Sequence, residues 1–312
     1  MIQNASKHRE GTLKYIKRDL VRNKGIYIMF LPVIIYFVLF HYVPMYGAQI
    51  AFRDYSARQG ITGSLFVGFE HFKTFFGSSY FWRLLRNTLA LSLLALAFGF
   101  PAPIILALLM NELRNKTFKR VVQTVTYLPY FISLMVVCSL LIDYLSKDGL
   151  FNDIAVLFGG TRTSYLLQAE YYRTIHVASG VWQNMGWNSI VYISALAAVD
   201  QQLYEAAVID GASRWKQTLH VTLPGIVPTI VIMLIMRMGT IMNVGFEKVI
   251  LLYNSATYET ADVISTFVYR KGLQEANYGY SAAVGLFNSV INTLLLVGTN
   301  TISRRLNETS LF

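Results

Sequence analysis

A chain of 312 residues is long enough for two soluble domains, but its composition excludes them: 54% of its residues are hydrophobic and only 14% are charged, where soluble domains carry roughly a quarter charged. The apolar residues are gathered into long runs. A run of about 18 or more suits a bilayer core, where a helix can satisfy its own backbone. The net charge is +10, yet the basic residues concentrate at the flanks of these runs, so they argue for a membrane and against nucleic acid as a partner. The one cysteine, Cys138, rules out an intrachain disulfide and a cysteine metal cluster. Lying inside an apolar run, it reads as a small buried hydrophobe.

Residues 1–25 carry Lys7, Arg9, Lys14, Lys17, Arg18, Arg22 and Lys24, with Leu13, Ile16, Leu20 and Val21 at helical spacing. This pattern predicts a cytoplasmic amphipathic helix lying on the membrane surface. The rest, 26–312, reads as a single all-α transmembrane domain. Its first span covers 26–43, too long an apolar stretch for a signal peptide of roughly 7–15 apolar residues, and is predicted to be an uncleaved anchor. Five further spans are predicted at 88–109, 121–141, 175–198, 226–245 and 282–302, making six. Pro101 and Pro103 should kink the second, since each lacks a backbone donor.

The Lys/Arg bias sets the orientation. The basic N-terminus, Arg114, Lys116, Lys119, Arg120, Arg214, Lys216, Arg304 and Arg305 fall on one side, predicted to be cytoplasmic. The loops 46–86, 146–173 and 247–281 are longer and more dilute in basic residues, although Arg83 and Arg86 flank the second span there. Both termini are therefore expected on the basic side, in the cytoplasm. Phe69, Phe72, Phe75 and Phe76 are expected on the membrane-facing side of an outer interfacial helix.

The most informative stretch is 200–224, DQQLYEAAVIDGASRWKQTLHVTLP. Asp200 can cap a short helix, on which Leu203, Ala206, Ala207 and Asp210 share a face low enough for close docking. Gly211 ends it, Ser213 can cap a second helix over 214–220, and Pro224 is expected to open the next span. Physics alone leaves two readings, a projecting helix–turn–helix that grips a partner and an ordinary amphipathic loop between spans.

The spacing Glu205-Ala206-Ala207, three residues, Gly211, nine residues, Val221-x-Leu223-Pro224 resembles the signature cytoplasmic loop of binding-protein-dependent ABC importer permeases, with Val221 in place of the family's Ile. Gly68-Phe69-Glu70-His71-Phe72, Asn87-Thr88, Tyr127-Leu128-Pro129 and Trp182 to Asn188 resemble the carbohydrate branch. Leu251 to Asn254 and Tyr258 to Val263 are similar to the permeases for complex oligosaccharides and polysaccharide fragments. The resemblance implies a type I ABC importer permease fold. It also implies an ATPase-coupling role for Glu205, Ala206, Ala207, Asp210, Gly211, Leu223 and Pro224, seated in a cleft of an ATPase subunit. The implied partners are a homologous, different second permease, two ATPases, and an extracytoplasmic solute-binding protein that delivers an oligosaccharide. ATP and Mg belong to the ATPase: this chain has no GxxxxGK[ST] loop and is expected to need no cofactor of its own.

Arg237 lies in the fifth predicted span on a stripe with Thr229, Met233, Thr240, Val244 and Glu247, with Asn243 one residue off it. An arginine at that depth must face protein or water. It either lines the sugar path, where its planar fork suits hydroxyls or a uronate carboxylate, or pairs with a carboxylate or helix-end carbonyls. Trp182, Trp187, Asn184 and Asn188 share the fourth span and suit the apolar faces and hydroxyl rims of sugars, although tryptophan near a span end is commonly an interface anchor. Gly239, Gly245 and Gly285 suit close helix approach or a hinge. No HExxH, GxSxG or paired-carboxylate pattern stands out, which speaks against the alternative of a membrane enzyme acting on lipid-linked sugars. Import of another solute, such as an amino acid or phosphate, is the nearer alternative.

Overall fold

The computed structural model describes residues 18–307, so most of the expected interfacial helix, residues 1–17, lies outside the described residues; 18–22 are helical. Among the described residues the strands are limited to an antiparallel pair, Arg53–Asp54 with Leu65–Phe66. Everything else that is regular is helical.

Helix α1, Lys24–Phe52, contains a π turn at Val38–Tyr42, where the Val43 amide donates to the Val38 carbonyl. Pro44 explains the widening. A proline lacks the donor and its ring collides with the carbonyl four residues back, and a five-residue turn relieves both. The same device recurs at Thr218–Thr222, before Pro224. No residue of 24–45 is buried, whereas the 3-10 turn Tyr46–Phe52 packs on the last helix.

Helix α2, Glu70–Phe76, corrects the expectation for its phenylalanines. Phe69 and Phe76 are exposed, but Phe75 is 1% exposed among Phe81, Phe267, Tyr280 and Phe287. Helix α3, Tyr80–Glu112, is interrupted at Phe100, immediately before Pro101. The expected third span is not continuous. It is α4, Lys116–Phe131, followed by α5, Leu134–Tyr144, bent by 96°. Pro129 interrupts the hydrogen bonding, and the Ser133 hydroxyl then caps α5 by accepting the Val136 amide.

After α6, Leu150–Leu157, comes α7, Ala169–Ala197, which packs against α3, α4 and α9 at the centre of the body. Its approach to α4 requires Gly186, because a Cβ there would lie 2.0 Å from the Thr126 carbonyl oxygen. Helix α8, Gln201–Ile209, precedes α9, Arg214–Met238, then α10, Phe246–Leu252, α11, Ile264–Tyr269, and α12, Tyr278–Asn307.

Among the described residues four helices, α1, α3, α9 and α12, are long and apolar enough to cross a membrane, and α4 with α5 makes a fifth if the bent pair is one span. Helix α7 has the length, but Ser179, Gln183, Asn184, Asn188 and Ser189 make it too polar to join them. Three clusters hold the body together. One joins Leu91, Cys138, Tyr172, Val249 and Val263, a second surrounds Phe75 and Phe267, and a third joins Ala107, Tyr192, Leu196 and Ile226.

Candidate functional site

The stretch 200–224 forms a projecting knob. The Asp200 carboxylate accepts the Gln202 amide at 2.9 Å and starts α8, and Gly211 leaves it at φ 74°, in the left-handed region where a Cβ is disfavoured. The Ser213 hydroxyl accepts the Lys216 amide at 3.5 Å. On the inner side the knob is pinned: Tyr204 donates to the Thr222 hydroxyl at 3.0 Å and Gln217 to the Ala212 carbonyl at 2.8 Å. A groove of about 580 Å³, which includes Asn111, Glu112, Tyr204 and Glu205, separates the knob from the end of α3.

The outer side of the knob is bare. No residue of α8 is buried, and Ile209 is 86% and Trp215 70% exposed, an apolar patch of the kind that marks a protein contact. The sequence reading had not singled out Trp215. The expected second helix over 214–220 does not end there. The π turn at Thr218–Thr222 carries it past Pro224, so a single helical rod, α9, runs from the knob to Met238. Leu223 packs at the root of that rod against the Tyr192 cluster, and Pro224 is exposed beside it.

At the far end of the rod lies a cavity of about 770 Å³ between α3, α7, α9 and the turn 239–245. Arg237, Thr240, Asn243, Asn184 and Asn188 all line it. Trp187 stands one layer back: Tyr130 lines the cavity and stacks on Trp187 with ring centres 4.6 Å apart and planes 3° from parallel. Trp182 is exposed and does not line the cavity.

The fifth span ends earlier than expected, at Met238 and not at 245, so Arg237 sits in the last helical turn and the stripe toward Val244 and Glu247 is broken. A cation there meets the negative end of the helix macrodipole. Arg237 has no ion pair or side-chain hydrogen bond among the described residues. The turn beyond it is latched to α12, with the Asn243 side-chain Oδ1 accepting from the Asn288 side-chain amide at 3.1 Å and the Met242 backbone amide donating to Asn292 Oδ1 at 3.0 Å.

Two cavity residues escaped the sequence reading, His176 and Lys248. Lys248 is 6% exposed and donates to the His176 carbonyl at 2.9 Å. The cavity thus gathers the side chains of Arg237 and Lys248, and among the described residues no aspartate or glutamate lines it.

Outside the cavity, the Tyr258-to-Val263 phrase forms a lock. Asp262, fully buried, holds Arg270 at 2.8 Å and Arg83 at 3.4 Å and accepts from Thr266 at 3.0 Å. Asn87 donates to the backbone carbonyls of Glu259 and Asp262, and Arg173 donates to Asn87. Burial pulls the Arg270 guanidinium down, but the Asp262 carboxylate outweighs it and holds the pKa above the usual arginine value. Arg83 and Arg86, near the N-terminal end of α3, are thereby engaged with this loop.

Comparison with known proteins agrees with this geometry. The chain is 44% identical to the polygalacturonan/rhamnogalacturonan transport system permease protein YteP of Bacillus subtilis (strain 168), over 94% of this chain and 92% of that protein. It superposes with a TM-score of 0.88 on a chain of a bacterial ABC transporter involved in the import of the acidic polysaccharide alginate, at 44% identity, covering 94% of this chain and 99% of that one. The alginate transporter in complex with an alginate pentasaccharide-bound periplasmic protein gives the same TM-score, at 45% identity over 94% of this chain and 99% of that chain. Residues 99–308, from before the Pro101 break to the end of α12, match the family described as binding-protein-dependent transport system inner membrane component. With its knob, its rod and its polar cavity inside one set of apolar helices, the chain belongs to the binding-protein-dependent transport system inner membrane components, the permease subunits of ABC importers.

Proposed function

We propose that this chain is the transmembrane permease subunit of an ATP-driven importer for oligosaccharides of acidic sugars, fed by an extracytoplasmic solute-binding protein. It would work with a second, homologous permease and two ATPase subunits, which bind the ATP and Mg. Counting α7 and the bent pair α4–α5 as spans gives six, with both termini cytoplasmic and residues 200–224 as the coupling loop of a single domain, 26–312. The relatives named for alginate and for polygalacturonan and rhamnogalacturonan support acidic oligosaccharides over an amino acid or phosphate.

The observation that carries this reading is the unbroken α9 rod, joining a knob exposed for a partner to the wall of a polar cavity. A displacement of the knob by closing ATPases is passed along a helix that is continuous from Arg214 to Met238, through the π turn and past Pro228, and it arrives at Arg237 and Thr240. Tyr130, Asn184 and Asn188 offer an aromatic face and amides to a sugar, and the Trp187 ring behind Tyr130 sets its orientation.

The test is co-purification. A tagged chain co-expressed with its ATPase is expected to retain it, and Glu205→Lys and Gly211→Asp are each expected to abolish that capture or the coupled ATP hydrolysis. Wild-type transport in both variants would remove 200–224 from the coupling role.

A further inference from the structure

We propose that Lys248 and His176 form a carboxylate-reading subsite in the cavity wall, the element that makes the path selective for acidic sugars. The inference rests on the permease reading above and assigns its charge selectivity to named atoms. The Lys248 ammonium has three donors, and one is used on the His176 carbonyl. It is held at 6% exposure with no ion pair among the described residues. A buried ammonium without an anionic partner is costly to keep charged. A methionine of similar length would avoid that cost, so stability does not account for a lysine at this position.

The second observation comes from the other side of the same bond. His176 is 7% exposed and lines the cavity, and its Nδ1 has no hydrogen-bond partner. Buried polar atoms are nearly always satisfied, so an unpartnered ring nitrogen beside a buried ammonium marks a place for a ligand atom. The ring also makes a backbone hydrogen bond with Val244, which takes the single N–H of a neutral imidazole and leaves Nδ1 as an acceptor for a sugar hydroxyl beside the carboxylate. The Lys248 Nζ lies against Gly180, 3.4 Å from where a Cβ would stand, and both residues line the cavity, so the smallest possible side chain faces the ammonium.

A ligand that meets these groups must bring negative charge and acceptor atoms for the Lys248 ammonium, with a hydroxyl for Nδ1. A uronate supplies all three, and the charge of its carboxylate offsets the buried ammonium. A neutral hexose supplies acceptors but leaves that charge uncompensated. Arg237, unpaired in the same cavity, adds a second cation for the next acidic unit of an oligomer.

The experiment uses the complete complex of both permeases, the ATPases and the binding protein in proteoliposomes. ATP-driven uptake is measured for oligogalacturonate and oligomannuronate trisaccharides and for the carboxyl-reduced neutral form of each. The wild type is expected to take up at least one acidic trisaccharide in preference to its neutral form. Lys248→Met is expected to lower that acidic uptake about tenfold, to narrow the acid-to-neutral ratio, and to leave the complex co-eluting with its ATPases. Lys248→Arg should retain most of the preference.

Gly180→Ala needs no rearrangement of the fold and guards against a collapse of Lys248→Met. Its methyl in front of Nζ should reduce acidic uptake severalfold. Wild-type acidic uptake in both Lys248→Met and Gly180→Ala would overturn the inference. So would equal loss of acidic and neutral uptake, or a wild-type complex that takes up only neutral forms or none of the acids. If the wild-type chain does not assemble with an ATPase at all, the permease reading itself fails, an outcome readily told apart from these.

Discussion

The knob at 200–224 and the stretch 239–264, which runs from the cavity wall to the lock that pins it from outside, are built by opposite means. In the knob each structural decision is made within a few residues: Asp200 caps Gln202, Gly211 takes the left-handed turn, and Ser213 caps Lys216. In the second stretch the decisive contacts span the chain. Lys248 reaches the His176 carbonyl 72 residues away, Thr88 accepts the Ile264 amide 176 residues away, and Arg83 reaches Asp262 across 179. A locally determined element can stand exposed and wait for a partner. A wall that must keep a cation in place needs pins from several helices, and the buried Asp262 is one of them.

The largest effect should therefore come from removing that pin. Asp262→Ala leaves Arg270 and Arg83 facing each other without their carboxylate, and breaking a buried pair in this way costs about 3–5 kcal/mol. Thermal unfolding of the purified chain in detergent, followed by tryptophan fluorescence, is expected to fall sharply in midpoint. Glu205→Lys in the exposed knob should leave the midpoint within the scatter of the wild type. Equal midpoints for the two variants would erase the distinction between the regions.

The same distinction governs how much of the molecule is legible in the sequence. The caps of the knob, its glycine and its spacing can be read directly, because each signal lies beside the structure it sets. The end of α9 cannot. The run IMLIMRMGTIMNVGF stays apolar through the break at 239–245, so hydropathy carries the span onward, and Gly239 and Gly245 read equally as places for close packing or for a hinge. The bend at 132–133 is hidden for a similar reason, since TYLPYFIS remains apolar and aromatic across Pro129. Lys248 reads as an outer-loop lysine because its burial is created by α7, distant in sequence. The π turns are equally silent: Pro224 is visible, but whether it opens a helix or is absorbed by one depends on how the preceding turn widens.

A smaller effect is expected at the junction of α4 and α7. Gly186→Ala places a methyl 2.0 Å from the Thr126 carbonyl oxygen, so the two helices must separate, at a typical cost of about 1–3 kcal/mol for overpacking. Because Gln183, one turn earlier, donates to the Ile132 carbonyl at the bend, the separation should also disturb the Tyr130 side of the cavity. Unfolding midpoint and uptake are both expected to drop, by less than for Asp262→Ala in stability. A midpoint equal to the wild type would mean that the α4–α7 contact yields without strain.

The smallest effect on stability, and the one that sharpens the comparison most, concerns Gly211. Nothing lies within 4 Å of a Cβ built there, so space is not what calls for glycine; the backbone at φ 74° is. Alanine in the left-handed region costs roughly 1–2 kcal/mol, whereas asparagine occupies it more readily. Since no α8 side chain is buried, that cost should appear as local fraying of the α8 terminus, with the global unfolding midpoint unchanged. Hydrogen exchange at the amides of 206–212 is expected to quicken in Gly211→Ala and to stay near wild type in Gly211→Asn. ATPase capture should weaken in the same order, since a frayed knob must be re-ordered on docking. If both variants exchange and dock alike, the left-handed cap does not shape the knob, and its form must come instead from the Tyr204 and Gln217 pins on its inner side.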